Sequence, residues 1–263
     1  MGDNGKLSSE QYNAPPLPLV PLQTISDAYG NHIRNEILLG LSRADLNLLL
    51  PRLEHVRFEV GHVLHETGDT LRSAYFVNSG LVSLVSVFPD GKGIEVGLVG
   101  REGFIGLPLL VGFRTANTRA VVQIDGSAFR IDSEFLSQIL AHNKRLNLRL
   151  QQFAQMQAME VTQIAACNRL HEVLQRLARW LLMSADRVAS NHVHLTQESI
   201  SIMLGTRRSS VTVAAGILET AGLITNSRGR IDIVDRARLE AASCDCYKIM
   251  HGQKVTWLKE SNT

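Results

Sequence analysis

Cysteine is scarce in this chain: Cys167, Cys244 and Cys246 are the only three among 263 residues, and none precedes Cys167. Three thiols are too few for a disulfide framework and fit a reducing compartment, so a cytoplasmic protein is expected. Long apolar runs are missing as well. No stretch reaches the roughly 20 residues of a membrane-spanning helix, and the first residues lack the apolar segment of a secretory leader, so no membrane association is expected. Charge of one sign is not in excess, since the net charge is only +2; any basic surface must be local. Proline is sparse outside one segment, with four of the seven in residues 15–21. Such a density favours extended polyproline II, and residues 1–30 read as a flexible tail.

What the chain does have is a structured stretch at residues 195–235, LTQESISIMLGTRRSSVTVAAGILETAGLITNSRGRIDIVD. Thr196 is a good N-cap. Ile200, Met203 and Leu204 share one helical face, and Gly205 supplies a turn. Thr206 is placed to cap a second helix, whose Val211, Ala214, Ala215 and Leu218 give a narrow apolar face. Ile224-Thr225 and Ile231-Asp232-Ile233 then alternate around a turn, a hairpin signal. Two helices about a glycine turn, followed by a hairpin, form the pattern of a winged helix-turn-helix. From Gly205 to Arg230 the cations are Arg207, Arg208, Arg228 and Arg230 against the single acid Glu219, a local net charge of +3. Arg207 and Arg208 sit where the helix macrodipole disfavours positive charge by roughly a few tenths of a kcal/mol. A phosphate or a guanine edge would offset that cost. Double-stranded DNA is the expected partner. The candidate contacts are Thr196 and Gln197 at the first helix, Arg207, Arg208, Ser209, Ser210 and Thr212 at the second, and Arg228 and Arg230 in the wing.

This stretch resembles the Crp/Fnr family of bacterial transcription regulators, and the likeness runs from about Phe58 to Asp235. The resemblance implies an α+β chain: an N-terminal β-roll, or jelly-roll-like, sensor domain, a long dimerisation helix and a C-terminal winged helix-turn-helix. It also implies a homodimer on a near-palindromic site and RNA polymerase as a further partner. Family recognition helices commonly carry a glutamate where Ser209 stands and an arginine where Val213 stands, so the family's usual half-site does not carry over.

The rest of the chain fits this order. Ser42 with Asp45 makes a weak capping box ahead of Leu46, and Pro51 limits the helix that follows. From Phe58 to Ile131 short strand-like runs alternate with turns at Asn78-Ser79-Gly80 and Pro89-Asp90-Gly91, as in a β-roll. Ser133 caps a short helix to Leu140. Asn143 caps a longer one reaching towards Ala166, about 36 Å at 1.5 Å per residue. Its Leu146, Leu150, Phe153, Met156 and Met159 step by three or four and form one seam. That seam can pack on the β-roll or on a second chain; the resemblance favours the second, a dimer interface. Leu170, Leu174, Leu177 and Leu181 mark a further helix to about Arg187. The domains read as residues 31–142 for the sensor, 143–166 for the dimerisation helix, 167–240 for the DNA-binding domain and 241–263 for a C-terminal tail, with a hinge near 166–168.

The sensor departs from the cyclic AMP pattern of the family. There a glutamate holds the ribose hydroxyl, and an Arg-Ser or Arg-Thr pair holds the phosphate. Here Leu107 follows Gly106 in the glutamate position, and Thr118-Arg119 stands in reversed order, so Gly106, Leu107, Thr118 and Arg119 mark a pocket for some other small-molecule effector. The amino-terminal cysteines of the iron–sulfur branch are missing, so no such cluster is expected. A competing reading is a metal-dependent, cupin-like β-barrel enzyme built on His62 and His65. Its motif needs one residue between the histidines and a third histidine on a later strand, and neither is present, so no enzyme activity is expected. Cys244, Cys246 and His251 offer three ligand types without a fourth, and Cys167 and His171 read as structural, so no metal site is expected. Leaving a ribose hydroxyl unpaired at Leu107 costs roughly 1–3 kcal/mol. Isothermal titration is therefore expected to show no low-micromolar cyclic AMP binding that raises DNA affinity.

Overall fold

The computed structural model describes residues 25–194, 197–227 and 229–260, without the side chains of His194, Gln197 and Glu198; the proline-rich segment, Thr196 and Arg228 lie outside the described residues. The first helices are α1 (Glu36–Leu39) and α2 (Arg43–Leu49). Ser42 caps α2 as expected, accepting from the Asp45 amide at 3.1 Å and donating to its carboxylate at 2.6 Å. Pro51 sits in the 3-10 turn that ends it.

Six strands follow: β1 (Glu54–Phe58), β2 (Val63–His65), β3 (Ser73–Val87), β4 (Gly93–Val99), β5 (Phe104–Ile105) and β6 (Arg119–Asp132). They form one antiparallel sheet in the order β1-β6-β3-β4, with β2 against β6 and β5 against β3. The turn expected at Asn78-Ser79-Gly80 is instead a break in register inside the single strand β3. Gly80 takes φ 81°, and a Cβ there would lie 2.5 Å from the Ile124 carbonyl oxygen. Gly126 faces the Ser79 carbonyl in the same way. Two backbones therefore cross too closely for side chains, and a glycine that reads as a turn serves as a bulge. The Pro89-Asp90-Gly91 turn is where the sequence places it, closed by the Phe88 amide on Lys92.

The helix α3 (Ser133–His142) is capped by Asp132, whose carboxylate accepts from the Glu134 and Phe135 amides, and not by Ser133. Asn143 caps α4 (Lys144–Leu170) through the Leu146 amide. The helix runs unbroken past residues 166–168, so the bend to α5 (Val173–Val188) falls at His171-Glu172 and leaves Leu170 on the exposed end of α4. Leu146, Leu150 and Phe153 are buried within the same chain, in the core under the sheet, with Met156 against it; Met159 packs on the second core. The seam expected to pair two chains is thus an intrachain seam. Its period reported burial correctly at Leu146, Leu150 and Phe153, where the β-roll is the partner, while Met156 and Met159 stay half-buried.

The remaining elements are β7 (His192–His194), α6 (Gln197–Met203), α7 (Arg208–Thr220), β8 (Ile224–Ser227), β9 (Arg230–Ile233), α8 (Arg236–Ala242) and α9 (Cys246–Glu260). The expected tail after residue 240 therefore contains a helix, and Cys246, Tyr247 and Met250 bury it in the second core.

The two cores are joined by buried polar groups. Arg187 of α5 binds Glu160 of α4 at 2.6 Å and Glu102, beyond β4, at 2.9 Å. Nearby, Glu95 of β4 accepts from Trp180 Nε1 at 2.8 Å and from the Ser83 hydroxyl at 2.5 Å. Ser83 also lies 3.4 Å from Met203 Sδ of α6. Burial pushes the Glu95 carboxyl up to about 7, against the opposing effects of its two donors and of Arg179 and Arg187. A folded-state pKa above the unfolded value means that the folded protein holds the extra proton. The stabilisation is complete below the ordinary carboxyl range and is lost as pH rises towards 7. Glu95→Gln mimics the protonated form: its amide can accept from Trp180 and donate to Ser83, which turns its hydroxyl to Met203. Thermal unfolding should show near-equal wild type and Glu95→Gln at pH 4.5, with the variant ahead at pH 8 by on the order of 2–3 kcal/mol.

Candidate nucleic-acid interface

Helices α6 and α7 meet through Ile200, Met203, Leu204, Val211, Ala214, Ala215 and Leu218, all buried in the second core. The alanines let the axes approach closely, and α5 forms the floor with Leu177, Trp180 and Leu181. Gly205 takes φ 55° in the turn, and its amide bonds to the Ile202 carbonyl. A residue with a Cβ would be strained there.

The N-cap of α7 is Arg207, with no side-chain cap bond, and not Thr206. Arg207, Arg208 and Ser209 are exposed and Ser210 is half-buried; Thr212 is exposed and donates to the Arg208 carbonyl at 3.1 Å. Among the described residues no carboxylate pairs with Arg207 or Arg208, so two cations stand free at the positive end of a helix dipole. The same face carries Val213, 64 % exposed, and Ile217, 51 % exposed. Reading Val213 only as a missing arginine overlooked it as an apolar contact, although positions 209, 213, 216 and 220 follow the helical period.

The wing forms the expected hairpin, with an added strand and a different state of Arg230. Strands β8 and β9 form the hairpin, and β7 adds a third strand on β9. Arg230 is paired: it lies 2.6 Å from Asp232 and 3.0 Å from His192, which itself meets Asp232 at 2.7 Å. The Arg230 bond, the His192 bond and the charges behind them outweigh desolvation and hold the Asp232 carboxyl below its ordinary range. Gln197 opens α6, its side chain outside the described residues, as are Thr196 and Arg228.

In the sheet domain, Gly106 takes φ 120° and a Cβ there would meet Ala74, while Leu107 opens a 3-10 turn packed on the core. Thr118 is half-exposed, and Arg119 pairs with Glu66 at 3.4 Å, so an anion would have to displace that carboxylate. Among the described residues His62 and His65 join no group of three or more metal-capable side chains. An unforeseen cavity of about 240 Å³ opens between α4 and α9, lined by Phe153, Met156 and Trp257 with Arg149 and Lys254 at its polar side.

Comparison with known proteins agrees with this arrangement. Residues 175–242 match the Crp-like helix-turn-helix domain and residues 55–143 the cyclic nucleotide-binding domain. The transcriptional regulator LdrP of Thermus thermophilus is 30 % identical over 196 residues, covering 70 % of this chain and 94 % of that protein. In fold, the chain is similar to FixK2 from Bradyrhizobium japonicum, with TM-score 0.64 and 17 % identity over 73 % of this chain and 98 % of that one. It is similar also to TTHB099, a CRP-family transcriptional regulator from Thermus thermophilus, with TM-score 0.62 and 24 % identity over 72 % and 96 %. A β-roll, a long helix and a winged helix-turn-helix with free arginines at its second helix are thus joined by sequence kinship along most of the chain, and the protein belongs to the Crp/Fnr family of transcriptional regulators.

Proposed function

We propose that the protein binds a near-palindromic DNA site as a homodimer, with α7 in the major groove. The observation that carries this reading is the free pair Arg207 and Arg208 at the start of α7. Phosphate contacts supply affinity, and base edges supply specificity. One arginine binds phosphate and the other reads guanine, with Ser209 and Thr212 as short polar contacts. Val213 meets a thymine methyl, the apolar group that marks T in the major groove. Arg230 contributes less than Arg207 and Arg208, because a phosphate must compete with Asp232 for it. Thr196, Gln197 and Arg228 remain phosphate contacts of this proposal, and Ser210 supports the groove edge.

The dimer is assigned to the outward face of α4. Leu148, Gln151, Ala158, Thr162 and Ala165 share one exposed face of the helix. Leu148 is 55 % exposed and Val161 is 38 % exposed in the single chain, so apolar surface is free there. Ala158 and Ala165 allow close approach. RNA polymerase is the partner that family membership suggests, and the sensor answers to a small molecule other than cyclic AMP held in the usual way.

DNA capture with the purified protein, followed by footprinting, tests the reading: half-sites one turn apart, about 34 Å, are expected. Arg208→Ala should cost about 1–3 kcal/mol at the captured site, and the salt dependence should weaken by about one unit of slope for each phosphate left without its arginine. Unchanged affinity and base preference in the Arg207→Ala/Arg208→Ala protein would refute the assignment. Ala158→Glu with Val161→Glu places like charges across the outward seam, and light scattering should then show folded monomers with sharply weaker specific binding. Wild-type monomers at micromolar concentration would exclude the dimer.

A further inference from the structure

Cys167, His171, Cys244 and Cys246 come together at the bend between α4 and α5, with one ligand atom of each within 4.8 Å of all the others. Cys167 lies in the last turn of α4, and His171 is its C-cap, so the two share one face four residues apart. Cys244 stands in the α8–α9 connection, and Cys246 opens α9. We propose that these four side chains form a tetrahedral Cys3His site for a zinc-class divalent ion, clamping α9 to the bend.

The geometry has the size of one ion's coordination shell. Around zinc, bonds of about 2.3 Å to sulfur and about 2.0 Å to nitrogen place tetrahedral sulfurs about 3.8 Å apart and sulfur and nitrogen about 3.5 Å apart. The Cys167 and Cys244 sulfurs are 3.5 Å apart, and Cys246 Sγ is 3.5 Å from His171 Nδ1. Disulfide sulfurs lie about 2.05 Å apart, so these thiols are not bonded, and all three cysteines are free and buried. A multi-iron cluster attaches its ligands to separate metal corners and needs a wider set.

The surroundings supply what such a site requires. Gln163 Nε2 donates to Cys246 Sγ at 3.2 Å, an outer hydrogen bond of the kind that orients a ligand. Three thiolates, one neutral imidazole and a divalent ion sum to one negative charge, which burial makes costly unless it is balanced. Arg176 and Arg179 are buried, and among the described residues neither pairs with a carboxylate. Each has a buried Nε without a hydrogen-bond partner. An anionic metal–thiolate centre gives these two cations their counter-charge. Binding releases one proton from each of the three thiols to solvent, and the ion's valence does not change. His251, the histidine that the Cys-x-Cys spacing suggested, packs instead on Tyr247 at 5.9 Å.

The test uses full-length protein purified under reducing conditions from zinc-supplemented cells. About one zinc per chain is expected, together with the strong visible ligand-field and sulfur-to-metal bands of a tetrahedral site when cobalt replaces zinc. Cys244→Ser should lose the metal. Should that variant fail to fold, His171→Cys should keep it, with cobalt bands shifted to a four-thiolate pattern. Chelation should open α9 to trypsin at Lys248 and Lys254. A folded, zinc-free protein with weak octahedral cobalt bands would overturn the site, as would an iron–sulfur chromophore or a Cys167–Cys244 disulfide under the same conditions. Unchanged cleavage after metal removal would overturn the clamp.

Discussion

One buried guanidinium ties the two halves of this molecule together. Arg187 leaves the floor helix of the DNA-binding half and binds Glu160 on the long helix and Glu102 beside the sheet, all three buried. Burial alone would raise the Glu102 carboxyl, but the neighbouring Arg187 charge, with Lys254, holds it below its ordinary range. Such a group is a poor source of net stability, because two carboxylates and a cation must all be desolvated. Removing one partner is another matter: an uncompensated buried charge costs about 3–5 kcal/mol. The triad brings α4, α5 and the loop after β4 to one buried point. Gly100 shows how tightly it is set, since a Cβ there would lie 2.7 Å from Arg187 Cβ.

Given that anchor, α4 has three distinct duties along its length. One face fills the core of the β-roll through Leu146, Leu150 and Phe153. The opposite face is exposed, and on the proposed reading it is where a second chain would pack. The last turn brings Cys167 and His171 to the bend, where α9 returns to meet them. A single helix thus touches both the β-roll and the DNA-binding half. That placement explains why its sequence looks like an imperfect heptad: two overlapping periodic faces serve different neighbours.

Local patterns were legible in the sequence, and choices between distant partners were not. The α6–turn–α7 unit could be read because the glycine turn and the apolar spacing lie within about two dozen residues, whereas the cap of α7 falls at Arg207 and not at Thr206. The α4 seam announced burial at Leu150 but could not say against what, since a β-roll and a second helix accept the same leucine. Gly80 read as a turn because a bulge glycine and a turn glycine share one conformation, and only the crossing with Gly126 distinguishes them. The thiol cluster was invisible for a plainer reason. Cys167 and Cys244 are 77 residues apart, and ligand spacing rules recognise only neighbours. The free state of Arg207 and the paired state of Arg230 likewise depend on which acids fold nearby.

The unbroken course of α4 through Leu170 makes it a lever as well as a strut. Its 27 residues span about 40 Å at 1.5 Å each, and a stiff rod amplifies angle into displacement. A tilt of about 5° at the sensor end would carry the far end by about 3.5 Å, close to the 3.4 Å between successive base pairs along a strand. Such a tilt would be felt first at the Glu160–Arg187 contact and then at the bend, where the last turn of α4 brings Cys167 and His171 against α9.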